Sequence, residues 1–324
     1  MNDRPPKDKN STNSLLYRFA PLRLCVTLWG ILCTLLPTLT TAQTIYTVVL
    51  GNQNYVVGSS TLRSGLFVSY DSAKSWKHIG PENLKAYSMD AVDSSEGRIL
   101  YIAAGNGVHR STDYGKSWEV VTDWRMTEVM DVLVDQRSPN YIYTATAFGF
   151  WMSRDGGDTW ENPEGPLKER YCYEISNGSS SNLISVLCSS STDSLMYYST
   201  DTAKTWKSTG RWKAKENQHY YDFINVGNRV LIASYEERLS YYKKGSSPHF
   251  LDTVVAYPFS KPVHALDILR YYVNPRILAG TFGDGLYIWS DNKWSFAGLS
   301  NSQVWDIVVK IYSVPVEVGH EHEN

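Results

Sequence analysis

Past residue 43 the chain is written in short apolar runs, each broken by a cluster of Gly, Asp, Ser or Asn. The runs are rich in Val, Ile, Tyr and Trp, and their spacing suits strands better than the three-and-four periodicity of a helix. From residue 88 onward, strands are expected at 89–92, 99–103, 108–111 and 118–121, with a turn at 93–97. The plan then repeats at 129–134, 141–145 and 150–153, and again at 171–176, 183–189 and 195–199. Two further units follow, 221–226 with 229–234 and 239–242, then 266–270 with 276–280 and 286–289; a last strand is expected at 304–309.

The polar breaks repeat as well. Ser69 to Trp76, Ser111 to Trp118, Ser153 to Trp160 and Ser199 to Trp206 are four copies of one turn. In each, an aspartate (Asp71, Asp113, Asp155, Asp201) precedes a tryptophan (Trp76, Trp118, Trp160, Trp206) by five positions. An aspartate after a strand accepts backbone N–H groups and closes a tight loop, and the indole that follows buries a large apolar surface. A shortened version, Asp291 to Trp294, predicts a tighter hairpin, and the turn near Lys243 has lost its aspartate. Four strands per unit of roughly 40–45 residues is the size of a propeller blade. The expected fold is therefore an all-β propeller of four-stranded blades.

These turns resemble the Asp-box (BNR) repeat, Ser/Thr-x-Asp-x-Gly-x-Ser/Thr-Trp, of β-propellers, and the resemblance covers most of the chain after residue 43. It implies an architecture rather than an activity. Counting turns and first strands favours six blades, with residues 304–309 returning to complete the blade that the N-terminus begins. The alternative is seven, because 45–50 also looks like a first strand and 311–318 would help to fill an extra blade.

In a propeller the first strand of each blade lines the central channel. Asp90, Asp131, Glu174, Asp222, Asp267 and Asp306 each sit in such a strand and form a candidate channel ring. Oxygen donors so placed could hold calcium; the competing reading is that each carboxylate bonds to neighbouring backbone N–H groups. The boxed aspartates and tryptophans occupy equivalent places on separate blades and are read as structural. Loops between blades carry Trp124, Arg125, Arg170, Arg211, Trp212, His219 and Tyr257, a mixture suited to a protein-binding face.

Before residue 43, a basic stretch, an apolar run at 24–36 and Thr40-Thr41-Ala42 read as a signal peptide cleaved before Gln43. An uncleaved anchor is the rival, but a spanning helix wants about 20 apolar residues and Pro37 interrupts this run. Removing 1–42 takes the formal net charge from −2 to −5. An acidic exported domain is a poor partner for nucleic acid or an anionic membrane, and no stable membrane span is expected after cleavage. The domain is expected over 43–318, with 319–324 a disordered tail. Cys172 and Cys188 mirror each other about position 180, which leaves two readings open: a cross-strand disulfide or two buried thiols.

No catalytic or metal signature is present. Asp-box sialidases need an arginine cluster, a tyrosine–glutamate pair and an aspartate; between Gln43 and the first box the chain offers Arg63 alone. Asp-box xyloglucanases place two carboxylates between two propellers. The likeness to the sortilin N-terminal-domain and photosystem II assembly-factor-like propellers implies the holding of a protein partner. Sortilin propellers are larger and the assembly factors usually have seven blades, so the partner does not carry over. The expectation is a non-catalytic scaffold without cofactor; a glycoside hydrolase or carbohydrate-binding propeller is the alternative.

Overall fold

The computed structural model describes residues 43–51, 64–94, 97–177, 183–189, 194–211, 220–226, 229–234, 238–243, 258–269 and 276–311. All lie within Thr41–Asn324, one of two compact units into which the chain divides. The signal-like segment, the tail, Trp212, His219 and Tyr257 fall outside the described residues.

The described residues form strands and no helix. In chain order, β1 (Gln43–Gly51), β2 (Gly65–Ser69) and β3 (Lys77–His78) form a meander. A second is β4 (Ala86–Ser94), β5 (Gly97–Ala104), β6 (Gly107–Ser111) and β7 (Glu119–Val120). The third is β8 (Val129–Val134), β9 (Ile142–Thr146) and β10 (Gly149–Ser153). The fourth is β11 (Tyr171–Asn177), β12 (Ile184–Ser189), β13 (Ser194–Ser199) and β14 (Lys207–Arg211). The fifth is β15 (Tyr220–Val226), β16 (Arg229–Ser234) and β17 (Arg238–Lys243). The sixth is β18 (Val263–Leu269), β19 (Arg276–Thr281), β20 (Leu286–Ser290) and β21 (Lys293–Phe296), after which β22 (Ser302–Ile311) returns to pair with β1.

That return decides how the first sheet is built. The order β22-β1-β2-β3 makes β1 a second strand, not the first strand that residues 45–50 suggested. β22 packs beside β18 and β4, so the C-terminal strand takes the inner place and ties the two ends of the domain together. Such closure hides sheet edges that would otherwise recruit other strands. The third sheet departs from the four-strand plan: its fourth strand shrinks to isolated bridges, Met152 with Glu161 and Gly149 with Lys168. Pro163, two residues past Glu161, has no N–H to continue a ladder.

The repeated turns explain themselves in hydrogen bonds. Asp113 Oδ1 accepts from Ser111 Oγ at 2.9 Å, Lys116 N at 3.0 Å and Ser117 N at 2.9 Å, while Oδ2 takes the Ser117 hydroxyl at 2.6 Å. Asp71 makes the same set, and Asp155 and Asp201 make closely similar ones. The two residues after each aspartate are left-handed: Ser72 and Ala73, Tyr114 and Gly115, Gly156 and Gly157, Thr202 and Ala203. Only some of these are glycine, so the carboxylate's donors hold a backbone shape that L residues rarely adopt.

Each indole then crosses to the preceding sheet. Trp118 Nε1 donates to Ile79 O at 2.9 Å, Trp160 Nε1 to Val121 O at 2.8 Å and Trp76 Nε1 to Ala297 O at 2.9 Å. Their rings join the apolar layers between sheets, and Trp206 does the same against Phe150 at 4.9 Å. Trp294, on the shortened hairpin, instead lies 5.4 Å from Trp289 across its own sheet and 5.6 Å from Phe259. The hydrophobic core is thus a set of inter-sheet layers rather than one central mass.

Cys172 and Cys188 form a disulfide. Below this pair the two strands run in a register centred later, with Glu174 opposite Leu187. One extra residue, Tyr173, shifts the register and brings the cysteines face to face.

Candidate functional site: the channel and its mouth

Tyr173 is one member of a series. The pairing of first and second strands skips one residue in every sheet: Tyr87, Met130, Tyr173, Tyr221, His264 and Trp305. A bulge of this kind re-aims a side chain and bends the strand that carries it. Here the re-aimed residues lie at the starts of the first strands, where the blade-to-blade loops enter. Contacts show that these starts meet: the Trp305 ring lies 4.5 Å from His264, 5.7 Å from Tyr87 and 6.2 Å from Phe282. Phe282 sits on the β19–β20 connection, 5.7 Å from His264. Across from them Tyr171 and Tyr173 are 6.1 Å apart, and Lys85 Nζ stands 5.1 Å over the Tyr87 ring.

The same end carries exposed apolar side chains. Trp124 is 84% exposed, Phe148 55%, Tyr171 44% and Phe282 38%. Arg125 is tied to Asp123 at 2.6 Å and stacks 5.8 Å over Trp151. Arg170 donates to Pro166 O at 2.7 Å and lies 5.5 Å over Tyr197. Arg211 is in β14, and its side chain is outside the described residues. Of the loop residues singled out in the sequence, then, Trp124 projects freely while Arg125 and Arg170 are engaged locally. Burial lowers the His264 pKa to about 4, so its ring is neutral at pH 7.

One residue further along each first strand come Ser88, Asp131, Glu174, Asp222, Ala265 and Asp306. Four of the six acids therefore share a level, while Asp90 and Asp267 lie two residues deeper, in the two strands whose upper position is Ser88 or Ala265. Each strand keeps one acid, but the ring is split over two levels.

The carboxylates stitch neighbouring strands. Asp131 Oδ2 accepts from Ile175 N at 2.6 Å, Asp222 Oδ2 from Leu266 N at 2.7 Å and Asp306 Oδ2 from Met89 N at 2.8 Å. On the lower level Asp90 Oδ2 accepts from Val134 N at 2.9 Å and Asp267 Oδ2 from Val309 N at 2.7 Å. Each bond runs to the next first strand around the channel at one offset. Ser88 fills its place by donating to Asp131 Oδ1 at 2.5 Å, and Lys310 Nζ pairs with Asp90 at 2.7 Å.

The Glu174 carboxyl makes no hydrogen bond among the described residues. Burial and then the charges of Asp222, Asp131 and Asp306 hold its carboxyl well above the usual range. Burial, and after it Asp131, raises Asp306 likewise. Asp131 is pushed up to about 6 by burial, against the pull of Ser88 and two backbone N–H donors. Among the described residues no three His, Cys, Asp or Glu side chains are placed to hold a metal ion.

The inward row was missed in the sequence because a bulge is invisible to strand periodicity. A signal was present nonetheless: Tyr173-Glu174, Tyr221-Asp222 and Trp305-Asp306 repeat an aromatic before an acid, with Met130-Asp131 a near copy.

Closed meanders with first strands around a channel define the fold class as a β-propeller. No protein-family model matches the chain. No curated protein sequence matches it either. Among solved structures it is similar to a chain of a nidogen/laminin complex, with TM-score 0.56, 6% identity, 83% of this chain covered and 98% of that one. The extracellular domain of a B. thetaiotaomicron protein described as a hybrid two-component system gives TM-score 0.50 and 14% identity over 71% of this chain and 36% of that. The GH74 xyloglucanase of Xanthomonas campestris gives 0.48 and 14% over 77% of this chain, which spans 45% of the enzyme's length. At such identities the likeness shows the fold alone. Among the described residues no helix is long and apolar enough to cross a membrane.

Proposed function

We propose that this chain is an exported Asp-box β-propeller that acts as a non-catalytic binding scaffold for a protein partner, in the manner of the sortilin and photosystem II assembly-factor-like propellers. The observation that carries the reading is the aromatic face at the channel mouth. Trp124, Phe148, Tyr171 and Phe282 project from one end of the sheets while the Asp-box turns occupy the other. Exposed aromatics on rigidly held loops are the raw material of interface hot spots. The order of segments before Gln43 and the buried Cys172–Cys188 disulfide both suit an oxidising, extracytoplasmic compartment. The chain's acidity disfavours nucleic acid.

A carbohydrate or glycoside-hydrolase reading has one observation in its favour: channel carboxyls with raised pKa, as a general acid needs. Against it, Asp131 and Asp306 each spend both oxygens on backbone N–H or hydroxyl donors. A general acid or nucleophile must instead reach a glycosidic bond. The binding reading therefore stands first.

The test uses the full chain as its host secretes it. Crosslinking followed by mass spectrometry should recover one stoichiometric protein with the wild type and lose it with Trp124→Ser combined with Phe282→Ser. Turnover of a glycan panel with no such partner would reverse the order of the two readings.

A further inference from the structure

Gln43 opens β1 opposite Ile311 of β22, two residues before Ile45, which pairs with Ser69 of the first box turn. It is 2% exposed, an unusual place for an amide side chain. Neither its Nε2 nor its Oε1 has a hydrogen-bond partner among the described residues. A primary amide buried in this way has lost its water without replacement, and such groups are uncommon in folded proteins.

The sequence supplies a second, independent observation. Thr40-Thr41-Ala42 ends the signal-like segment, so cleavage there makes Gln43 the first residue and frees its α-amine. A free amino terminus is largely protonated at pH 7. A charge at a buried strand end adds its own desolvation cost to that of the unpaired amide. Glutamine also places its amide carbon where a five-membered ring closes on the α-nitrogen.

We propose that Gln43 of the exported chain is a modification site: its free amine closes on its own side chain to give pyroglutamate, buried where β1 meets β22. The proposal rests on the exported reading and goes beyond the binding role. The neutral amine attacks Cδ, a C–N bond forms, and the Cδ–Nε2 bond breaks. Ammonia leaves, carrying away one proton from the attacking nitrogen. Nothing is oxidised or reduced, so the step needs no co-reactant. The lactam is neutral, lacks the unpartnered Nε2 donor and keeps one N–H on the strand nitrogen. Timing permits the reaction, because β22 is the last of the described strands to be made and Gln43 has no inner neighbour until it arrives. Ring closure then shields the capped end of a strand on which that closure depends.

The intact mass of the secreted protein tests this. The expected mass is that of residues 43–324 with the disulfide formed, less one ammonia, and N-terminal sequencing finds no free amine. Fragmentation of the tryptic peptide 43–63 places the loss at its first residue. Pyroglutamyl peptidase unblocks that free peptide at least about tenfold faster than the folded protein, since the folded chain must first open locally. Gln43→Ser abolishes the ammonia loss; a loss that persists in this variant lies elsewhere and overturns the proposal. A full-mass chain 43–324 with a free amine overturns it too and leaves export intact. A chain that begins at any other residue overturns the proposal and the cleavage site together. Equal unblocking of peptide and folded protein overturns the buried placement. None of these outcomes touches capture of a partner through Trp124 and Phe282, so the scaffold reading is judged separately.

Discussion

Carboxylates at the two ends of the sheets behave in opposite ways. At the outer turns the serine or threonine four residues on holds Asp113, Asp155 and Asp201 down at about 2, through its hydroxyl and then its N–H. In Asp71 partial burial pushes the other way, yet Ser75, Ser69 and Lys74 still bring the group to about 2. Along the channel the order of forces reverses. Asp131 has three donors and still rises to about 6, because protein surrounds it and Asp90 lies near. Donors alone do not set ionisation; what matters is whether water and other charges share the space.

The comparison is sharpened first by the residues that anchor each end. Trp118 packs between sheets and donates to Ile79 O, whereas Trp124 is 84% exposed. Trp118→Ala should cost about 3–5 kcal/mol in urea unfolding, and Trp124→Ala less than about 0.5 kcal/mol. Equal losses at both sites would remove the distinction between a fastening end and a presenting end.

The second test is pH. Raised channel groups bind protons more tightly folded than unfolded, so their contribution is fully present below the unfolded value near 4 and is lost as pH rises through about 6 at Asp131. Depressed boxed groups contribute above the unfolded value, and that contribution is lost as pH falls toward about 2. Stability should therefore rise as pH drops from 7.5 to about 5 and collapse below about 4. Glu174→Gln at pH 7.5 should stabilise the fold by roughly 1–3 kcal/mol, since it removes a carboxyl whose ionisation burial and three neighbouring acids disfavour, and its side chain breaks no hydrogen bond among the described residues. It should also flatten the alkaline limb. Thermal melts across pH decide this, and a monotonic rise to pH 8 would contradict the channel half of the comparison.

The fold was legible because its signals are local and repeated. A strand run, an aspartate and an indole five residues later can be read off any one unit, and Trp118 and Trp160 then lie between sheets as periodicity implied. The site was less legible because it depends on register. Asp90 and Asp267 look equivalent to Asp131 in an apolar frame, and only the pairing after Tyr87 and His264 shows them two residues deeper. Residues 45–50 were ambiguous for a related reason: an inner strand and a second strand share one apolar pattern. What separates them is the distant partner β22, which supplies the inner place from the other end of the chain. The break in pairing after the Met152–Glu161 bridge was foreshadowed by Pro163, a local signal that the repeat itself masked.

Within the boxes a smaller test follows. Asp155→Ala removes donors' partners from Ser153 and Thr159 on an exposed turn. By analogy with a lost cap the cost should be about 1 kcal/mol, the charge component being trimmed by solvent screening. Urea titration at pH 7 measures it, and the acid limb of the stability profile should weaken with it. No change in either would mean that the turn is held by its flanking strands alone.

The smallest effect is expected where a box uses the wrong residue for its backbone. Thr202 is left-handed with φ 61°, a conformation that β-branched side chains strongly resist, while Gly156 occupies the equivalent place in the neighbouring copy. Thr202 is only partly buried, so its side chain contributes little packing to offset that strain. Thr202→Gly should relieve the local strain and raise stability by about 0.5–1 kcal/mol, less the extra entropy that glycine gives the unfolded chain. The complementary change, Gly156→Thr, should cost at least as much, because it installs the same strain; its Cβ would meet Arg110 and Tyr101 at 3.9 Å, ordinary contact distance, so crowding adds nothing. If the two substitutions shift the urea midpoint in the same direction, backbone shape is not what the aspartate's hydrogen bonds are enforcing.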